Sequence, residues 1–295
     1  MKKLFVCATG LLALLTACNN EPANTESKSA DTASQPAAVV NDVTKDWKIG
    51  TQMWTFRMFS LQEGLDKADS AGVKYIEAFF GQPVFPKSKE KFGTEMSAET
   101  KEKLKQLLQA KGIRIVAMGV ISPRNQKEWT KAFDLAKEFG LSYITCEPIK
   151  SQWDMIDTMA TRYNIKLAIH DHPKPNEYWS PDSVLAAIKG HSNIGSCADV
   201  GHWSRNGLNP VDCLKKLEGH VYGVHLKDII KFDDTNSPDT AVGKGVIDFP
   251  AIFAELKRQG FEGMFSIEQE SNWYHNVGDV KNTVQYFHDQ VAKLK

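Results

Sequence analysis

Neither sign of charge dominates this chain, since 36 Lys and Arg residues face 36 Asp and Glu residues for a formal net charge of zero. A protein that grips a polyanion needs a basic surplus, so the balance argues against a nucleic-acid partner. Cysteine is scarce, with five in 295 residues. Cys7 and Cys18 fall near the start. Cys146, Cys197 and Cys213 lie within or beside apolar segments and read as buried thiols rather than a disulfide framework. No Gly-x-Gly-x-x-Gly turn follows the first strand pattern, which argues against an open dinucleotide-binding sheet. A glycine-rich phosphate loop is also missing. The apolar run from Leu4 to Leu15 is too short to span a bilayer.

That run has another use. Lys2 and Lys3 precede it and Leu15-Thr-Ala-Cys18 follows, the layout of a signal peptide over residues 1–17. The Cys directly after Leu-Thr-Ala resembles a bacterial lipobox, which implies cleavage before Cys18 and lipidation of its sulfur. The mature protein is then expected to be lipid-anchored in the bacterial cell envelope and periplasm-facing. Residues 18–46 are rich in Ala, Ser, Thr, Asn and Pro, with few large apolar side chains, and read as a flexible tether. Residues 47–295 have the size of one barrel domain.

Within that domain one unit recurs: apolar strand, polar loop, amphipathic helix, then Gly or Asn. Helical spacing is clear at Trp129, Ala132, Phe133 and Ala136, and again at Ile252, Phe253 and Leu256. Gly72, Gly112, Gly140, Asn164, Gly190, Gly219 and Gly260 stand where helices should end. Strands are expected near Ile49–Gln52, Val73–Ala78, Arg114–Met118, Tyr143–Cys146, Leu167–Ile169, Gly195–Ala198, Tyr222–Val224 and Met264–Ile267. Eight alternating units predict an α/β fold with parallel strands closed into a single-domain (β/α)8 TIM barrel.

In such a barrel the carboxyl ends of the strands meet on one face. Four segments deliver a metal-ligand side chain there: Glu147, Asp199, His225 and Glu268. One imidazole and three carboxylates suit a single divalent ion (Mn, Co, Mg or Zn), without the thiolates of a structural zinc site. His170 and His172 end the fifth strand in Ile169-His-Asp-His-Pro173, and His202 follows the expected Asp199 ligand. Lys227 is two residues past His225 and shares its side of an extended chain. Glu77, near the end of the second strand, could bind substrate hydroxyls or buttress the rim. Trp54, Trp179, Trp203 and Trp273 fall in loops after strands, and aromatic faces beside polar groups suit a sugar ring; Trp54 and Trp203 are the expected substrate contacts. Residues 229–246 form a long stretch without an obvious element, of a length that suits a lid.

These segments resemble the xylose isomerase-like barrel superfamily. The likeness is carried by Glu147-Pro148, His170-Asp-His-Pro173, Asp199-Val-Gly-His202, Val224-His-Leu-Lys-Asp228, Gly243-Lys-Gly-Val-Ile-Asp248 and Gly263-Met-Phe-Ser-Ile-Glu268. It implies that Glu147, Asp199, His225 and Glu268 bind one divalent metal, and that Glu147 and Glu268 serve as the acid/base pair. The implied activity is a metal-dependent isomerase or epimerase working through an enediolate. An exported enzyme should meet a non-phosphorylated keto-sugar or a glycoside. β-Elimination from a 3-keto-glycoside is the alternative outcome, and a non-catalytic sugar-binding lipoprotein a second. Metal identity and oligomeric state are left open.

The lipobox reading has a direct check. Cys18→Ser should leave an unprocessed precursor or move the protein to the soluble fraction; membrane association and mass identical to wild type would count against lipidation.

Overall fold

The computed structural model describes residues 42–294. The expected signal peptide, Cys18 and the tether up to residue 41 lie outside the described residues. The folded unit begins at Asp42, five residues before the expected boundary, because Asp42 caps a 3-10 turn over Val43–Asp46.

Eight parallel strands close into a barrel. They are β1 (Lys48–Gln52), β2 (Tyr75–Phe79), β3 (Arg114–Ile121), β4 (Tyr143–Cys146), β5 (Lys166–His170), β6 (Ile194–Asp199), β7 (Val221–Leu226) and, closing against β1, β10 (Met264–Ile267). A two-residue ribbon of β8 (Asp228–Ile229) and β9 (Asp239–Thr240) sits apart from it. Each strand expected from the sequence is present. The helices that cover the barrel are α1 (Leu61–Ser70), α2 (Ala98–Lys111), α3 (Gln126–Phe139), α4 (Trp153–Tyr163), α5 (Pro181–Ile188), α6 (Val200–Arg205), α7 (Pro210–Lys216), α8 (Phe249–Arg258) and α9 (Val277–Val291).

Parallel strands covered on both faces need apolar side chains on both sides, and β6 is buried at every position. Helix boundaries follow the signals in the sequence. Ser60 and Glu63 form a reciprocal capping box at the start of α1. Gly112, Gly140 and Asn164 end α2, α3 and α4 in the left-handed conformation. Ladder irregularities at Ile76/Glu77 and at Ser196/Cys197 fall in two strands that deliver site residues. Such bulges re-aim the side chains that follow them. Cys146, Cys197 and Cys213 are free and buried, as their surroundings in the sequence suggested.

The stretch expected to be a lid is organised by one carboxylate. Asp228, 1% exposed, accepts hydrogen bonds from the backbone N–H groups of Ile229 (2.9 Å), Gly243 (3.0 Å), Gly245 (2.8 Å) and Ile247 (3.3 Å). Gly245 allows this approach, since a Cβ there would lie 2.3 Å from Asp228 Oδ1 and from Ile229 O. The loop therefore closes back on the residue that follows Lys227.

Asp228→Asn replaces one acceptor oxygen by an NH2 group that faces backbone donors. We expect a loss of about 1–3 kcal/mol in urea unfolding, the usual cost of an unsatisfied buried group, with faster proteolytic cleavage inside 229–247. Unchanged stability together with unchanged cleavage would contradict this role.

Candidate metal centre and catalytic pocket

β5, β6, β7 and β10 bring His170, Asp199, His225 and Glu268 together, with one ligand atom from each lying within 4.8 Å of the others. All four are buried. His225 is gripped from two sides, its Nε2 standing 2.9 Å from Glu77 Oε2 and its Nδ1 2.9 Å from Glu268 Oε2. His170 Nε2 faces the same Nδ1 at 3.1 Å. Asp199 divides its oxygens: Oδ1 accepts the His202 backbone N–H at 2.9 Å and caps α6. Asp199 Oδ2 is left without a hydrogen bond of acceptable geometry, although the Lys227 ammonium is 3.1 Å away. Behind it, Asp171 Oδ1 accepts the Asp199 backbone N–H at 2.9 Å and fixes the strand end.

Beside this cluster lies a second arrangement. Glu147 accepts from His172 Nδ1 in a short contact, and Asn176 Nδ2 donates to its other oxygen at 3.0 Å. The His172 side chain is 42% exposed, while its ring sits 4.5 Å from that of His170 between centroids. It is an oriented imidazole open to the pocket. Lys227 is fully buried, with Nζ at 3.1 Å from Asp199, 3.2 Å from Glu268 and 3.3 Å from Glu270. His202 Nε2 stands 3.0 Å from the same ammonium.

Comparisons with known proteins agree with this architecture. Residues 65–290 match the family described as xylose isomerase-like TIM barrel. The chain belongs to that family. A crystal structure of an uncharacterized protein from Parabacteroides distasonis is 35% identical, covering 83% of this chain and 99% of that one with a TM-score of 0.68. A D-tagatose 3-epimerase-like protein is 18% identical over 84% of this chain and 98% of its own, with a TM-score of 0.67, a likeness of fold alone. An inosose dehydratase of Clostridium botulinum is 35% identical over 129 residues, which is 39% of this chain and 43% of that relative. The chain thus spans less than half the length of that curated relative.

Within the family frame, three of the four expected ligands converge and one does not. Glu147 stands apart from that cluster: it directly follows β4, and its carboxylate is taken by His172 and Asn176. Its Oε1 comes no nearer to His170 than 3.8 Å, at the outer nitrogen, and the fourth side chain clustered with Asp199, His225 and Glu268 is His170. Trp203 was expected to face substrate and is instead fully buried, because capping by Asp199 starts α6 at once and turns the indole into the core. Glu77 also has no exposure. It lies under His225, receives Ser266 Oγ–H at 3.0 Å, and orients the ring rather than contacting a ligand. Trp54 remains partly open, its ring against Phe79 and under the Arg57 guanidinium, which also covers Trp273. Asp171, Asn176, Arg205 and Glu270 also take part, and of these only Asp171, between His170 and His172, stands where the sequence pattern marks a site.

The residues fit a divalent ion. Glu77 takes the Nε2–H of His225 and leaves its Nδ1 lone pair facing inward. Two imidazole nitrogens, Glu268 Oε2 and the unpartnered Asp199 Oδ2 then converge, and four acceptors this close repel one another unless protons or a cation lie among them. Without an ion, protons fill that place. Burial alone would lower His170, but the Asp199 and Glu147 carboxylates overcome it and push it up to about 9. A metal must displace that proton at any pH below this value. Affinity should therefore rise with pH towards about 9, by roughly tenfold per unit for each proton displaced. Calorimetric titrations of Zn²⁺ or Mn²⁺ in buffers of different ionisation enthalpy should register the released protons. A pH-independent affinity would contradict the proposed ligand set.

Proposed function

We propose that the protein removes the proton next to the ketone of a non-phosphorylated keto-sugar or 3-keto-glycoside and then expels the oxygen substituent on the next carbon. The observation that carries this reading is the Glu147–His172 pair set beside the His170, Asp199, His225 and Glu268 cluster. A carboxylate on Nδ1 fixes the tautomer of an imidazole and leaves Nε2 as a base. A divalent ion held by the four clustered residues would polarise the ketone and stabilise negative charge on its oxygen. The imidazole pair suits Mn, Co or Zn better than Mg.

The chain's own groups then account for the protons. His172 Nε2 takes the hydrogen from the carbon between the ketone and the leaving oxygen. The C–H electron pair becomes the double bond of the enediolate. When the ketone re-forms, the bond to the leaving oxygen breaks, and that oxygen takes a proton from a donor in the pocket. The Lys227 ammonium, with three carboxylates within 3.3 Å, holds its charge against Asp199 and Glu268 and keeps both in place. One relative is named inosose dehydratase, and loss of water is an elimination of the same class.

Epimerisation of a keto-sugar, the outcome expected first from the sequence, shares the proton removal. It needs a second acid on the other side of the substrate, and of the expected pair Glu147 is engaged by His172 and Asn176 while Glu268 is engaged by His225 and Lys227. Elimination needs its proton donor at the leaving oxygen instead, not across the reacting carbon from His172. An exported, lipid-anchored protein would meet glycosides before sugar phosphates, which favours a 3-keto-glycoside substrate.

His172→Gln should lose about 10²–10⁴ in rate with metal content unchanged, and Glu147→Gln should lose less, also with metal retained. Loss of metal in Glu147→Gln would return that residue to the ligand set. With a 3-keto-glucoside deuterated beside the ketone, NMR should find slowed turnover and an unsaturated ketone without the label. A product that keeps its deuterium would mean direct hydrolysis, and the enediolate reading would fall.

A further inference from the structure

His202 lies between two cations. Arg205 NH1 approaches its Nδ1 at 3.1 Å, and Lys227 Nζ approaches its Nε2 at 3.0 Å. Both neighbours are donors, yet a neutral imidazole has only one nitrogen free to accept. An imidazolium would accept from neither and would repel both. One of the two contacts must therefore face an N–H, and which one it is decides what His202 can do.

The surroundings separate the two cations. Arg205 cannot shed a proton, and its guanidinium is fixed by three further bonds. Its Nε and NH2 donate to Ser237 O at 3.1 and 2.9 Å, and NH2 also donates to Asp239. The side of the guanidinium that remains is aimed at His202 Nδ1. Lys227 has three carboxylates within 3.3 Å, those of Asp199, Glu268 and Glu270, and donates a hydrogen bond to Glu270 Oε1 at 3.3 Å. Its charge is therefore balanced without His202, whereas Arg205 NH1 has His202 Nδ1 as its partner.

We propose that Arg205 is a positioning residue that locks His202 in the Nε2–H tautomer, and that the 229–247 loop holds Arg205 for this task through Ser237 and Asp239. Nε2–H then points towards the centre, where Asp199 Oδ2 stands 3.7 Å away, and the His202 ring is 5.0 Å from that of His172. His202 is thereby a hydrogen-bond donor on the side of the pocket opposite the Arg205 contact. If the β-elimination reading holds, this donor serves the leaving oxygen, and that clause alone rests on it. Asp239 Oδ2 also accepts the Glu270 backbone N–H at 2.9 Å, so the loop, Arg205, His202 and Glu270, just past β10, form one connected network.

The test needs neither substrate nor turnover, so its result is separate from that of the proposed reaction. The protein, labelled with ¹⁵N-histidine and loaded with diamagnetic Zn²⁺, is examined by long-range ¹H–¹⁵N correlation, with His202→Gln assigning the signal. The expected spectrum has His202 Nε2 protonated and Nδ1 unprotonated. Arg205→Met should shift His202 towards the Nδ1–H form, with Lys227 then donating to Nε2. A wild-type His202 protonated on Nδ1 would overturn the proposal, and so would an unchanged His202 signature in folded Arg205→Met. The wild-type spectrum decides the tautomer even if that variant does not fold.

Discussion

A full positive charge with no exposed surface sits at the centre of this pocket, and the rest of the site is arranged around it. Burying an ammonium costs several kcal/mol unless carboxylates and hydrogen bonds replace its water. Lys227 has three carboxylates in reach: Asp199 and Glu268 on the side of the histidine cluster, Glu270 on the loop side. Each is held by something else as well. Asp199 caps α6, Glu268 meets His225, and the backbone of Glu270 is tied to Asp239. The ammonium is the point where the His170, Asp199, His225 and Glu268 cluster and the loop network share a partner. Its stem also sets the packing, since a Cβ at Gly201 would lie 2.6 Å from Lys227 Cγ. The tight start of α6 and the buried lysine therefore require each other.

The barrel was legible because its signals are local and repeated. Apolar runs, helix periodicity and C-cap residues recur in each unit, and closure follows from the number of units. Gly112, Gly140 and Asn164 take the left-handed conformation at the helix ends the sequence marked. The convergence of Asp199, His225 and Glu268 was legible for a related reason. A ligand at the last position of an inward-facing strand can point almost nowhere but into the mouth of the barrel.

What the sequence could not convey is how side chains divide once they arrive. Strand-end position says that Glu147 reaches the mouth; it does not say that Asn176, from the loop after β5, will hold one oxygen and His172 the other. Trp203 failed as a ligand face for a comparable reason. Its placement after a strand suggested a loop, but the Asp199 cap begins a helix without one, and that turn of helix carries the indole inward. Glu77 stands near the end of the second strand in the sequence, yet a ladder irregularity beside it and the His225 ring above it make it a support. In each case the deciding contact comes from a distant segment, which no spacing rule encodes.

The division of labour between His170 and His172 follows from the same limit. Simple alternation would send both rings to one side of β5, and in part it does, since their centroids are 4.5 Å apart. The strand ends at His170, however, and Pro173 cannot continue it, so His172 stands above its neighbour rather than beside it. The lower ring is buried and meets His225 at 3.1 Å. The upper ring is open to solvent and has a carboxylate on its inner nitrogen. Glu147 touches both histidines from the β4 side, at 3.8 Å from the lower one. The Glu147 carboxylate, expected among the clustered acids, thereby sets the buried His170 apart from the open His172.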